Sequence, residues 1–243
     1  MIEKNEYPKH KVCGEYISHE VLAYLQSLNF DPFALGAKDI KKLTLSTRKS
    51  RSVSTNLPLG GFSISRYCID AALKDKAEEY GALVLHANVL DVKFENDFFT
   101  VKTSTKETYN APLVIGGFGK RSTLDVKLHR AFIKKASPYL GIKAHYKGYF
   151  PDDAVGLHNF EGGYCGVSKV ENNHINICYL VDYKTFKKHK SITDFQKNVV
   201  YKNKFLKEIL SSTTMVFDKP LTISQVSFSS KKPIENHILM CGD

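Results

Sequence analysis

The chain has 243 residues, of which 42% are hydrophobic and 25% charged, the usage of a soluble globular protein with one good core or two small ones. Its formal charge of +10 and pI near 9.2 would suit an anionic partner. Lys and Arg are scattered, however, and the one dense cluster, Lys184, Lys187, Lys188 and Lys190, reads as a solvated stretch between a strand and a helix. That excludes a nucleic-acid function and leaves at most loose attraction to an anionic membrane surface.

Five cysteines, Cys13, Cys68, Cys165, Cys178 and Cys241, are odd in number and lie far apart, with no CxxC and no Cys/His pairing at zinc spacing. No metal is expected, and the setting is read as reduced and cytoplasmic. No apolar run reaches the roughly 18 residues of a membrane span, and the acidic, Lys-containing start is unlike a signal peptide. A G-x-S-x-G elbow is absent, which sets nucleophilic hydrolysis aside.

In chain order, Met1 to Lys4 reads as the end of a strand, followed by a polar loop from Asn5 to Glu15. Ser18 offers an N-cap for a short helix carrying Val21, Leu22, Leu25 and Leu28 on one face. The Thr, Ser and Val-rich stretch from Ile40 to Leu59 suggests a hairpin before a Gly60-Gly61 turn. From Arg66 to Tyr80, Ile69, Leu73, Ala77 and Tyr80 form a helical stripe closed by Gly81, with Leu83 to Leu85 as a buried parallel strand.

Two alternating runs, Leu90 to Phe94 and Phe99 to Thr103, flank an Asn96-Asp97 turn and make an antiparallel ribbon. Leu113, Val114 and Ile115 form a central strand running into Gly116-Gly117-Phe118-Gly119. Beyond Pro138 the pattern becomes antiparallel: Leu140, Ile142 and Ala144 alternate, as do Ile175, Ile177, Tyr179 and Val181. A helix over about 193–210, a strand over 221–228 and a terminal apolar strand from Ile238 complete the chain. His145, on an alternating strand, is read as a satisfied structural histidine rather than a base.

Four of these segments, taken in order, resemble one family, the FAD-dependent oxidoreductases that include geranylgeranyl reductases and aromatic-ring hydroxylases. They are Ile2-Glu3-Lys4 with Tyr7 to Glu15; Ser65 to Leu73 with Gly81-Ala82, similar to an R-x-x-x-D-x-x-L helix; Ala111 to Ser122, similar to an A-D-G-x-x-S loop; and Ile238 to Asp243. The resemblance implies an α/β fold, with a partial Rossmann-like FAD-binding domain at 1–126, in which a parallel sheet carries an antiparallel ribbon. An antiparallel β-sheet substrate domain follows at 127–228, and a return strand at 229–243.

It further implies that Glu3 and Lys4 hold the adenosine ribose, that the backbone of Val89 reaches the adenine, and that Arg66 contacts FAD. Gly119, Gly242 and Asp243 are then expected to bind the cofactor, and the Cys13-Gly14 loop to approach the flavin. Cys13 and Tyr164 are the catalytic candidates. An acid on a ribose lies about 20 residues beyond a G-x-G-x-x-G turn, and no such turn occurs in these residues. The expectation is therefore a chain truncated at both ends, with the glycine loop upstream of Met1.

The favoured activity is a reductase resembling geranylgeranyl reductase, acting on a small apolar molecule; NAD(P)H is a candidate electron donor, one that the monooxygenase alternative would require. The alternatives are a flavin-dependent monooxygenase and a non-catalytic product serving at most as a binding module. Phe118 stands where the family has Asp, which weakens the NADPH-dependent hydroxylase in particular. An aromatic there is expected to close the loop by packing.

Overall fold

The computed structural model describes residues 1–119, 122–134, 137–226, 228 and 230–242. The chain forms two units, the first from Met1–Glu6, Ala77–Ser137 and Ser227–Asp243, the second from Tyr7–Lys76 and Pro138–Val226. Residues 7–76, expected in the FAD-binding domain, thus pack with the antiparallel sheet, and the boundary expected at 126 falls at 137–138. The reason lies in strand pairing. Lys38–Ser46 runs parallel to Ala154–Phe160 and antiparallel to Ser52–Ser63, so the early hairpin extends the second unit's sheet.

That sheet has nine strands. In order they are Thr214–Met215, Tyr139–Lys147, Ile175–Asp182, Gly163–Lys169, Ala154–Phe160, Lys38–Ser46, Ser52–Ser63 and Tyr16–Ser18, with Leu221–Ser224 also pairing along the Tyr139 strand. Alternation sorts its two faces. Ile142, Ala144, Val167, Ile175, Ile177, Tyr179 and Val181 are buried on one side, under Phe195, Leu206 and Leu210 of two covering helices, Ile192–Asn198 and Lys204–Ser211, and Val200 between them. Full burial of each large side chain contributes about 1.5–3 kcal/mol.

The helix expected over 193–210 is therefore two. Val199 leaves helical geometry at φ −121°, a 3-10 turn covers Val200–Lys202, and Asn203, at ψ 116°, starts the second helix. Its Oδ1 accepts from the amides of Phe205 (3.0 Å) and Leu206 (3.4 Å). Its Nδ2 donates to Ser46 Oγ (2.7 Å), Thr47 O (3.2 Å) and Asn159 O (3.0 Å). One buried amide thereby caps a helix and joins two strands, which outweighs continuing the helix.

A smaller core in the same unit gathers Leu25, Phe30, Phe62, Ile64 and Ile69 between the helices Leu22–Ser27 and Arg66–Glu79. Gly60 and Gly61, expected at the hairpin turn, lie instead inside the Ser52–Ser63 strand; the turn spans Thr47–Arg51. Gly60 takes φ +74° near a register irregularity between Ile40 and Lys42, and a Cβ on Gly61 would collide with the Tyr16 ring. Both glycines serve close approach, not chain reversal.

In the first unit, Ile2–Glu3 pairs parallel with Leu85–His86, and Gly81, at φ +86°, closes the helix that precedes the latter. Val89–Glu95, Phe98–Thr103 and Thr108–Ala111 form the ribbon, turned by Asn96 and Asp97 at φ 51° and 62°, with a third strand beyond the two expected. Ile115–Gly116 runs parallel to Ile238–Met240, which also pairs antiparallel with Ile234–Glu235. The run Leu113–Ile115 is not the buried strand anticipated: Leu113 is 55% and Ile115 64% exposed. Leu83 is 69% exposed and outside its strand. Apolar strands are buried on both faces only where helices cover both.

Candidate functional site

The second face of the nine-stranded sheet is polar. Lys143 and His145, Asn176 and Cys178, and Tyr164, Gly166 and Ser168 occupy the positions that alternate with the apolar core. The register sets His145 opposite Asn176 and Asn176 opposite Ser168, with Lys143, Cys178 and Gly166 in the next row. Lys143, His145, Asn176 and Ser168 are buried, and buried polar groups require partners. The loop running from His10 to Glu15 supplies most of them.

Asn176 Nδ2 donates to the carbonyls of Gly14 (2.8 Å) and Cys13 (3.3 Å). Lys143 Nζ donates to the Lys11 carbonyl (3.1 Å) and to the Glu15 carboxylate. Glu15 Oε2 meets His145 Nε2 at 2.7 Å, and its Oε1 accepts from the Arg66 amide (2.8 Å) at the start of the 66–79 helix. Burial works to raise the Glu15 pKa but is outweighed by the His145 hydrogen bond and the Lys143 charge, so the carboxyl sits below its ordinary range. Glu15 holds φ 55°, a left-handed backbone costing about 1–2 kcal/mol in a non-glycine residue.

Beside this cluster His10 stacks on Tyr67 (4.5 Å between centroids) and meets His145 edge-on at 5.0 Å. Burial, reinforced by His145 and Lys143, lowers its pKa to about 4. Among the described residues, His10 Nδ1, Asn176 Oδ1 and Ser168 Oγ are buried without a hydrogen-bond partner. Burial pushes the Cys178 thiol up to about 12 and Cys165 well above the ordinary range; Cys13 and Cys178 are half-buried and Cys165 is buried.

Arg66 Nε donates to Asp70 Oδ1 (2.7 Å), and Asp70 Oδ2 pairs with Lys11 Nζ at 2.6 Å. An arginine at a helix start opposes the dipole and calls for an anion nearby. Asp70, one turn along, supplies that anion from the chain itself. Tyr164, 45% exposed, occupies the same sheet face as Gly166 and Ser168.

The remaining site residues belong to the first unit. Glu3 closes its strand, its carbonyl accepts from Ala87 N (3.0 Å), and its Oε1 accepts from the amide and side chain of Asn5. The Lys4 carbonyl lies 3.0 Å from His86 Nε2, and Val89 opens the ribbon three residues later, so Glu3, Lys4 and Val89 gather at one carboxyl end. Gly119 and Gly242, at φ +69° and +81°, follow the other parallel pair, with Cys241 N bonded to Gly116 O (3.2 Å). Asp243 lies outside the described residues.

Phe118 packs on Gly116, where a Cβ would come within 2.8 Å of its ring, and Lys231 Nζ sits 5.6 Å from the ring centroid while donating to Gly119 O. Packing does close that loop, as expected. At these strand ends Glu3 offers an acceptor of the kind a ribose diol needs, and Gly117, Gly119 and Gly242 have nothing within 4 Å of a built Cβ, which leaves room for a close-lying ligand. Among the described residues no group of three or more His, Cys, Asp or Glu could hold a metal ion, and no helix is long and apolar enough to cross a membrane.

The fold is that of the FAD-dependent flavoproteins. No family model and no curated protein matches the sequence. Among solved structures, the chain is similar to a flavoprotein/dehydrogenase from Cytophaga hutchinsonii, with a TM-score of 0.80 at 16% identity over 99% of this chain and 64% of that one. It is also similar to the flavin-dependent brominase Bmp2, with a TM-score of 0.78 at 16% identity over 100% of this chain and 64% of that one. A third is the myxobacterial chondrochloren halogenase CndH, at 0.78 and 15%, over 99% and 61%. The chain thus spans less than two thirds of the length of these proteins.

Proposed function

We propose that the chain is an FAD-dependent oxidoreductase acting on a small, predominantly apolar molecule. The carrying observation is the first unit's strand ends, where Glu3, Lys4 and Val89 gather at one parallel pair and the open Gly119 and Gly242 at the other. Ligands of parallel α/β sheets bind outside the carboxyl ends of the strands. Glu3 would hold the adenosine ribose, the Val89 backbone the adenine, and Gly119, Gly242 and Asp243 the ribityl side. Cys13, Gly14 and Arg66 would meet the flavin, with Tyr164 towards the substrate. When bound, the flavin supplies the redox chemistry; the chain's own residues orient it, exclude water and fix the charge around it.

The test is FAD titration, followed by flavin fluorescence, of a version extended upstream by a strand and a G-x-G-x-x-G turn. The extended protein is expected to purify yellow. Glu3→Ala should weaken binding by about 10- to 100-fold, the loss of a charge-assisted hydrogen bond to the ribose. No binding by the extended protein, or an unchanged affinity in the variant, sinks this assignment.

Two readings of the chemistry remain, and they separate on the electron donor. The reductase reading rests on the Cys13-Gly14 loop and on Tyr164; the oxygenating one gains from halogenases among the structural neighbours. Phe118, packed over Gly116, offers no acceptor to a ribose or an arginine. Direct reduction of the FAD-loaded extended protein by NADPH should therefore be slow, with reducing equivalents arriving from another carrier. Stopped-flow absorbance at the flavin band decides it: rapid reduction by NADPH would favour a monooxygenase that takes hydride directly.

A further inference from the structure

Glu15 is buried, lies in left-handed backbone and touches three separate parts of the second unit. Its main chain belongs to the loop that presents Cys13 and Gly14. Its Oε1 holds the first amide of the 66–79 helix, the turn that carries Arg66. Its two oxygens also meet Lys143 and His145 on the sheet, while Asn176 on the neighbouring strand holds the loop's carbonyls. A loop of this length without regular structure has few bonds of its own, so its conformation is set by what its anchors hold.

We propose that Glu15 is the positioning residue of the flavin-facing loop: its carboxylate, paired with Lys143 and His145 and bonded to the Arg66 amide, sets Cys13 and Gly14 against the helix start. This rests on the function proposed above. Glu15 is not a catalytic residue; it acts through the loop. A neutral side chain of the same shape keeps the packing but loses the ionic attraction to Lys143 and weakens the bond to the Arg66 amide. The loop then opens locally, while the apolar face of the sheet stays closed.

Iodoacetamide alkylation of the native 243-residue protein, resolved by peptide mass spectrometry, reads this without any flavin. Cys241, exposed, is the internal reference, and the buried Cys165, on the apolar face of the sheet, reports on the core. Glu15→Gln alone leaves Lys143 buried without its counter-charge, which destabilises the fold, so the key variant is Glu15→Gln with Lys143→Met, which removes both charges. The double variant is expected to unfold within a few degrees of the original protein while Cys13 reacts at least about tenfold faster, as for loss of one charge-assisted bond. Cys165 stays protected. Glu15→Asp, which retains the charge, keeps Cys13 slow.

Unchanged Cys13 reactivity in the double variant overturns the proposal, as does a rise shared by Cys13 and the core thiol Cys165, which would mark a purely structural residue. Because no flavin takes part, this result stands apart from the FAD titration: absent FAD binding with the expected thiol pattern removes the functional assignment and leaves the anchoring role of Glu15 intact.

Discussion

Replacing Asn203 with Ala is expected to lower the unfolding free energy of the second unit by about 4 kcal/mol. The loss combines an N-cap, worth about 1 kcal/mol, with the donors to Asn159 O, Thr47 O and Ser46 Oγ, since each acceptor left unpaired in a buried site costs about 1–3 kcal/mol. Asn203 is buried and makes all of these bonds with one amide. The informative companion is Asn203→Asp. Aspartate is as good an N-cap as asparagine, but it cannot donate, and it would aim a carboxylate at two carbonyl oxygens. It should destabilise at least as much as alanine. Urea unfolding followed by circular dichroism measures both; an Asp variant close to the original protein would show that capping, rather than the tie between strands, is what Asn203 contributes.

Acid should unfold the second unit through His158. This buried ring stacks on Phe205 at 5.6 Å, and its Nδ1 lies 2.8 Å from Ser46 Oγ, which also accepts from Asn203 Nδ2. Burial lowers the His158 pKa from 6.5 to about 4. The unfolded chain therefore binds the proton first as pH falls: this contribution is fully present above about 6.5 and is lost progressively towards 4. A shift of that size corresponds to about 3 kcal/mol. His10, lowered in the same direction but partly exposed, adds to the trend in the same window. Unfolding free energies measured from pH 7.5 to 4.5 should show the slope, and His158→Gln, which cannot titrate, should flatten it. An equal slope in that variant would assign the acid sensitivity elsewhere.

Local signals in the sequence were reliable where a short stretch determines its own geometry. The alternation from Ile175 to Val181 gives a strand with one apolar face, Asn96-Asp97 gives the left-handed turn, and Gly81 gives the end of its helix. Signals failed where a residue serves a distant partner. Gly60 and Gly61 resemble a turn, but they make room for other parts of the sheet. The pattern across 193–210 resembles one helix because Asn203's other partners lie 44 or more residues away. Leu113 to Ile115 look like a buried strand because apolar composition says nothing about what covers a face.

The site shows the same division. His145 was legible as a satisfied histidine, and the structure supplies the satisfying group, Glu15, 130 residues away. Lys143 and His145, two apart on a strand whose intervening residue is apolar, already marked a polar face. Nothing local marked Glu15 as its counter-charge. Its importance follows from topology, which brings the 10–15 loop over strands that are 128 and 130 residues later in the chain.

The interleaving of the two units also governs how the protein is made. The chain enters the first unit, leaves it after Glu6, returns at Ala77, leaves again after Ser137 and comes back at Ser227. Neither unit is a contiguous stretch that a ribosome can deliver whole. The second cannot close until the 138–226 segment has emerged, and the pairing of Leu239 with Ile115 must wait for a residue 124 positions further along the chain. At about 5–20 residues per second, early segments spend several seconds exposed before their partners exist. Nascent chains therefore carry the Lys38–Ser46 edge of the early hairpin unpaired until Ala154–Phe160 has emerged, while the other edge can already be covered by Tyr16–Ser18.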